Sequence, residues 1–312
     1  MDENRKVLIP QETQQAFYQM LSGFPKDQLN VLSDIFDGIL SKVGRGTDSA
    51  DFYAPVKKVE KIFSEKTANF SKDDQAVLRR SLVAKLALNL PTIVEKMNLP
   101  RSILVLYPDA FGRLADHLKN NRDDPYDLTD EFFRKDIRFV LGLSIPCGVA
   151  ICDMISKVSL PSVILSLFRS RNVSPAIRYL RARGYGRWFR VHVDSRYLTE
   201  FNERGHDNFY LRIAELLEQQ KDVRGYVGTT WYYDPQLLKI SPHLAFLQLR
   251  PLERGAFMLR HRGGRDDIKN AIMKSKTRRR LYQEGKYSPI SYSILWPRKD
   301  LISWAEQARR AK

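Results

Sequence analysis

Apolar residues in the first third of the chain recur at helical intervals. Leu29, Leu32, Ile35, Phe36, Ile39, Leu40 and Val43 form one stripe, the pattern of a helix with a single buried face. Ser71 followed three residues later by Asp74 has the form of an N-cap with an acidic partner. The helix it opens runs through Leu78, Leu82, Leu86 and Leu90, and Pro91 is expected to close it. Shorter helical pieces are predicted around Thr92–Met97 and Ala110–Leu118. The polar, acidic stretch NNRDDPYDLTDE, with Pro125, then interrupts the periodicity and marks a domain boundary near residue 130.

Beyond it the texture changes. FVLGLSIP and CGVAIC are compact apolar runs separated by Pro146 and Gly148, which suits buried strands joined by a turn. Leu160–Phe168 and Ser174–Leu180 read as short helices, WFRVHV as a strand, Asn208–Gln219 as an amphipathic helix and GYVGTTWYY as a strand. HLAFLQLR reads as a strand ending at Pro251 and AFMLRH as another. Asp266–Tyr282 reads as a helix, SYSILW as a strand, and Pro297 opens a terminal helix to Ala308. The expected class is therefore α/β, with a helical N-terminal domain over residues 1–130 and a mixed-sheet α/β domain over 131–312.

Composition narrows this picture. A chain of 312 residues, 43% hydrophobic and 28% charged, is neither disordered nor a small disulfide scaffold. Its net charge of +16 is local. Residues 168–190 hold seven arginines and no acid, and residues 258–312 hold fifteen Lys/Arg against five Asp/Glu, so the rest of the chain is close to neutral. Such runs ordinarily form solvated faces, but two of them favour an anionic partner. The two cysteines, Cys147 and Cys152, form neither a zinc ribbon nor an extracellular framework, so a reducing cytoplasm is the expected setting, and a bacterial source is expected with it. The N-terminal residues lack the apolar core of a signal peptide. The longest uncharged run, Phe139–Cys152, is short of a membrane span.

The order from residue 206 onward (helix, strand, strand, basic glycine turn, helix, strand, helix) resembles the core of the GNAT acyltransferase superfamily. In that family a central strand feeds a turn of the type Arg/Gln-x-x-Gly-x-Gly/Ala. Its backbone N–H groups bind the pyrophosphate of an acyl-coenzyme A at a helix N-terminus. The matching turn here is Arg260-His261-Arg262-Gly263-Gly264-Arg265. It differs from the pattern in ending on Arg265, in following an extra strand and in preceding Asp266 and Asp267, and the two late strands usual in the family are not evident. Arg181-Ala182-Arg183-Gly184-Tyr185-Gly186 matches the pattern literally but lies between a helix and a strand.

The resemblance implies transfer of an acyl group from acyl-CoA or acyl-carrier protein to an amine or alcohol. Arg260, Arg262, Gly263 and Gly264 would hold the donor, and the backbone of Leu247 and Leu249 would meet the acyl carbonyl. Lys274, Lys276, Arg278, Arg279 and Arg280 would suit the acidic surface of a carrier protein. His192, His243 and Tyr292 are the candidate base, second base candidate and acid. No metal is expected.

Other readings of these residues stay open. HVDSRYLTEFNERGHD, residues 192–207, is the densest polar constellation. There His192 is a general base, or with Asp194 and a distant His243 or His261 part of a two-histidine, one-carboxylate iron site, or an ordinary strand-end histidine. Cys147, between a proline and a glycine, is either a thiol nucleophile with His192 as its base or a buried small hydrophobe. The aromatic strings WYYDP and GYGRWFR beside basic residues would also suit single-stranded nucleic acid, although Trp231 and Tyr233 read as core. Residues 160–190 would suit an anionic membrane, with SVILSLF inserted.

Overall fold

The computed structural model describes residues 7–43, 53–120, 126–158, 163, 164, 166, 168, 173–261, 265–273 and 275–311. The chain divides into two compact units, Met1–Pro146 and Cys147–Lys312. Among the described residues no helix is long and apolar enough to cross a membrane.

The first unit is helical: α1 Gln11–Leu21, α2 Lys26–Lys42, α3 Ala54–Lys66, α4 Lys72–Val94, α5 Arg101–Leu104, α6 Tyr107–Asn120 and α7 Glu131–Val140, ending on the short strand β1, Ser144–Pro146. Its central helix α4 starts where the sequence places it. The Ser71 hydroxyl accepts the Asp74 N–H at 3.1 Å, satisfying one of the open donors of the first turn. The helix does not stop at Pro91 but runs to Val94. Proline forfeits one backbone hydrogen bond, and the burial of Leu90, Ile93 and Val94 holds the last turn in register. Beside α4, Arg79 forks onto Glu60 at 2.6 and 3.2 Å and lies over the Phe63 ring.

The second unit is a mixed sheet between helices. Its strands are β2 Ala150–Lys157, β3 Arg187–Val193, β4 Val223–Thr230, β5 Phe257–Arg260 and β6 Tyr292–Pro297, in spatial order β2-β3-β4-β6-β5. β3 and β4 are parallel and the other pairs antiparallel. The crossover that parallel pairing requires is the helix α9, Glu203–Gln219. The helix α8, Ser174–Arg181, precedes β3. After β4 come α10 Leu237–Ile240, α11 Phe246–Glu253, α12 Arg265–Met273, α13 Lys276–Gln283 and α14 Arg298–Arg310.

Cross-strand register assigns the two faces, because directly opposed residues point the same way and neighbours alternate. Trp188, Val227, Leu295, Phe257 and Leu259 form the apolar band of one face, covered by Tyr179 of α8. Tyr226 and Trp296, opposed in the register, belong to the other face. There Tyr210 of α9 lies 5.2 Å from Trp296 and 5.8 Å from Tyr226, and Trp304 of α14 lies 5.5 Å from Trp296. Gly225, at φ +152°, sits where the β3–β4 register shifts. A Cβ there would meet the Trp296 carbonyl at 2.1 Å, so only glycine lets the strands close at this bulge.

Three of the elements expected in the second unit differ. HLAFLQLR is not a strand: Pro242–Leu244 is a 3₁₀ turn and Phe246–Glu253 is the helix α11. Its buried residues, Leu244, Leu247, Gln248 and Pro251, follow a helical period, which a short apolar run does not distinguish from a strand. The single helix expected over Asp266–Tyr282 is two, because Ser275 caps a new start by accepting the Arg278 N–H. The strand in GYVGTTWYY ends at Thr230, and Trp231 and Tyr233 are buried in the 3₁₀ turn that follows.

Candidate active site

In a sheet with a parallel pair, the place to look for a site is beyond the carboxyl ends of the two parallel strands. Here the last β3–β4 pair is Val191–Gly228. Each strand nevertheless continues on its other side, β3 to Val193 opposite Ala150 and β4 to Thr230 opposite Tyr292. The parallel strands therefore part after Val191 and Gly228, at the end of the sheet to which β3 delivers the chain before α9. The absence of a side chain at Gly228 has a local cause. A Cβ there would lie 2.8 Å from the Tyr233 hydroxyl and 3.1 Å from Val191, so glycine lets Tyr233 reach the last rung. Burial raises the Tyr233 pKa, which keeps that hydroxyl protonated.

One face of the split carries a polar row one step beyond the apolar band. His192 Nε2 lies 2.8 Å from Asp153 Oδ2, the carboxylate fully buried and the imidazole 31% exposed. Opposition of His192 to Ile151 makes Asp153 its diagonal neighbour on that face. Thr229 Oγ1 lies 2.6 Å from Ser293 Oγ, which lies 2.6 Å from His261 Nε2.

The other face carries Tyr292, opposite both Thr230 and Arg260. Burial raises the Tyr292 pKa, Asp234 adds to the rise and Arg260 opposes it. Asp234 is buried, and its carboxylate accepts the backbone N–H groups of Gln236 and Ile290 at 3.0 Å. Burial still raises its pKa, against those bonds and Arg260.

Between β3 and α9 the chain is closely tied. Asp194 is fully buried and accepts from the Arg196 N–H and from its guanidinium, at 2.7 Å for Nη2. Asn202 caps α9 by accepting the Gly205 N–H at 2.9 Å. A Cβ on Gly205 would fall 2.0 Å from the Glu200 carbonyl. His206 is held among Phe201, Phe209, Tyr210 and Phe246. Burial lowers its pKa to about 4, opposed by the bond to the Asn202 carbonyl.

The sequence candidates are thus only partly gathered. His192 and Tyr292 flank the split from opposite faces, whereas His243 is exposed in the 3₁₀ turn of Pro242–Leu244. Leu247 and Leu249 belong to α11, so their backbone is not a strand edge. Arg260 ends β5, and its N–H donates to Ser166. Arg262, Gly263 and Gly264 lie outside the described residues, as does Lys274. Arg278 is buried, donating to the Ala271 carbonyl and the Ser241 hydroxyl and lying over Trp231. It is therefore part of the core rather than of a carrier-protein surface. Lys276, Arg279 and Arg280 are exposed.

The constellation at 192–207 disperses: Asp194 turns to Arg196 and Asp207 to Arg250, so His192 and Asp194 do not form an iron-binding pair. Cys147 is buried, and Cys152 has a raised pKa from burial and from Cys147 beside it. A thiol so enclosed does not meet a substrate. Asp153, Thr229 and Ser293 escaped the sequence reading, although an acid within AICDMIS is itself the signature of a buried, partnered carboxylate.

No known family model and no curated protein matches this sequence. A solved structure described as an acyltransferase in complex with decanoyl-CoA and teicoplanin is similar, with a TM-score of 0.52 at 10% identity over 95% of this chain and 87% of that one. That likeness shows an acyltransferase-like α/β fold and does not single out the GNAT superfamily.

Proposed function

We propose that the C-terminal unit is an acyltransferase that binds an acyl thioester, acyl-CoA or acyl-carrier protein, across the split between β3 and β4. The single observation that carries this is the parting of the parallel pair after Val191 and Gly228, at the end of the sheet where β3 leads into a turn and the N-terminus of α9. The same arrangement supports the GNAT resemblance, but with β3, not residues 243–250, as the central strand. The backbone beside the split takes the role first assigned to Leu247 and Leu249. The Asn202–Gly205 cap, with Arg204 exposed beside it, is the helix start to which donor phosphates would lie nearest.

The chemistry follows from the two faces. The acceptor amine or alcohol gives its proton to the His192 imidazole as its nitrogen or oxygen attacks the thioester carbonyl. The buried carboxylate of Asp153, 2.8 Å from Nε2, stabilises the imidazolium that forms. When the C–S bond breaks, Tyr292, kept protonated by burial, gives its proton to the leaving thiolate. The proton held by His192 then passes to solvent and Tyr292 regains one from it, so the net products are the acylated acceptor and the free thiol and the enzyme is restored.

A thermal-shift titration with CoA and acyl-CoA tests this reading. A saturable rise in Tm is expected, reduced in Gly228→Val, whose side chain displaces Tyr233 at the last rung. Failure of any CoA species or acyl-carrier protein to shift the C-terminal unit would overturn it.

A further inference from the structure

The arginine-rich segment before β3 plays no part in that reading, and its geometry has a consequence of its own. Helix α8 uses one side against the sheet: Tyr179 is fully buried, its hydroxyl donates to the Val158 carbonyl, and Ala176 and Ala182 pack beside it. The opposite side is apolar too. Val173, Ile177 and Leu180, spaced four and three residues apart, point outward, and with Tyr185 and Phe168 they are 45% to 81% exposed.

Among the described residues, four cations around this patch divide into two groups. Arg178 donates to the Gly255 carbonyl and Arg187 pairs with Asp222, so both serve the fold. Arg181 and Arg183 are exposed. Residues 168–190 contain no acid. An outward apolar stripe beside cations, with no negative charge in its segment, is the chemistry of an interfacial surface for anionic lipid.

We propose that this face of the C-terminal unit docks on an anionic lipid bilayer, with Val173, Ile177 and Leu180 entering the headgroup boundary and Arg181 and Arg183 meeting the lipid phosphates. Charge and shape favour this occupant over others. A symmetric pairing of two copies through the patch would bring the arginines against each other with no acid to offset them. Three of the five exposed side chains are aliphatic and offer no ring for a base to stack on. The proposal does not depend on the acyltransferase reading.

Co-flotation of the full chain with phosphatidylcholine vesicles, with and without phosphatidylglycerol, is the test. Binding is expected with the anionic vesicles only, weakened by salt. Ile177→Ser/Leu180→Ser should abolish it. Arg181→Glu/Arg183→Glu should weaken it at least about 20-fold, from roughly five-fold per lost cation. These side chains are exposed, so an unchanged tryptophan unfolding midpoint establishes that the variants fold, and CoA binding should be unaffected. Absence of flotation with anionic vesicles, or flotation that survives both double variants, overturns the proposal. Tighter binding to single-stranded DNA than to vesicles, or a dimer that Ile177→Ser/Leu180→Ser dissociates, would do so as well.

Discussion

Acidification should unfold the C-terminal unit through His206. Its imidazole is 6% exposed and packed among Phe201, Phe209, Tyr210 and Phe246, and burial lowers its pKa from 6.5 to about 4. The folded unit therefore keeps His206 neutral while the unfolded chain takes up a proton as soon as the pH falls below about 6.5. The stabilisation is complete above that value, declines as the pH falls, and is lost by about pH 4, where the folded form is protonated too. The gap corresponds to about 3 kcal/mol in total and about 2 kcal/mol at pH ~5. All four tryptophans, Trp188, Trp231, Trp296 and Trp304, lie in this unit, so urea unfolding followed by tryptophan emission reports on it alone. His206→Phe suits the aromatic surroundings and removes the titration. The drop in stability between pH ~7.5 and ~5 should then be about 2 kcal/mol smaller in the variant than in the parent. Equal drops would refute the reasoning, because they would place the acid sensitivity elsewhere.

Three further outcomes are expected. Asp153→Asn should lower the rate of thiol release from acyl-CoA by about 10²- to 10⁴-fold with CoA affinity unchanged, and combination with His192→Ala should add little; a full-rate Asp153→Asn would exclude the pair from the chemistry. Gly205→Ala should destabilise the C-terminal unit by about 2 kcal/mol or more, because its Cβ would sit 2.0 Å from the Glu200 carbonyl, read from the urea midpoint; an unchanged midpoint would show that the α9 start relaxes freely. Ser71→Ala should cost about 1 kcal/mol through loss of the α4 cap, measured by circular dichroism during unfolding of the helical unit; no change would mean that the cap is redundant.

The sequence displays most of the scaffold because local chemistry decides it. The Ser71 cap, the leucine ladder of α4 and the strands WFRVHV, AFMLRH and SYSILW are each set by period and by residues within reach along the chain. The helix at 246–253 is not legible in the sequence because Leu244–Leu249 is nearly all apolar, and such a run looks alike as strand or helix. With that run helical, the central strand is β3, and the donor-binding backbone expected at Leu247 and Leu249 moves with it.

The site itself is long-range. The Asp153–His192 contact spans two strands, the Thr229–Ser293–His261 chain three, and the split exists only because β2 and β6 hold β3 and β4 beyond their last mutual pair. No local pattern encodes such a meeting. The nearest sequence signals were His192 within an apolar strand and the lone acid of AICDMIS.

Hydrogen–deuterium exchange of the full chain with and without acyl-CoA tests the central claim most directly. Slowed exchange is predicted in peptides covering Val191–Val193 and Gly228–Thr230, where the thioester would bridge the parted strands, and at the start of α9. Binding that protects other segments while leaving those two unchanged would contradict the account.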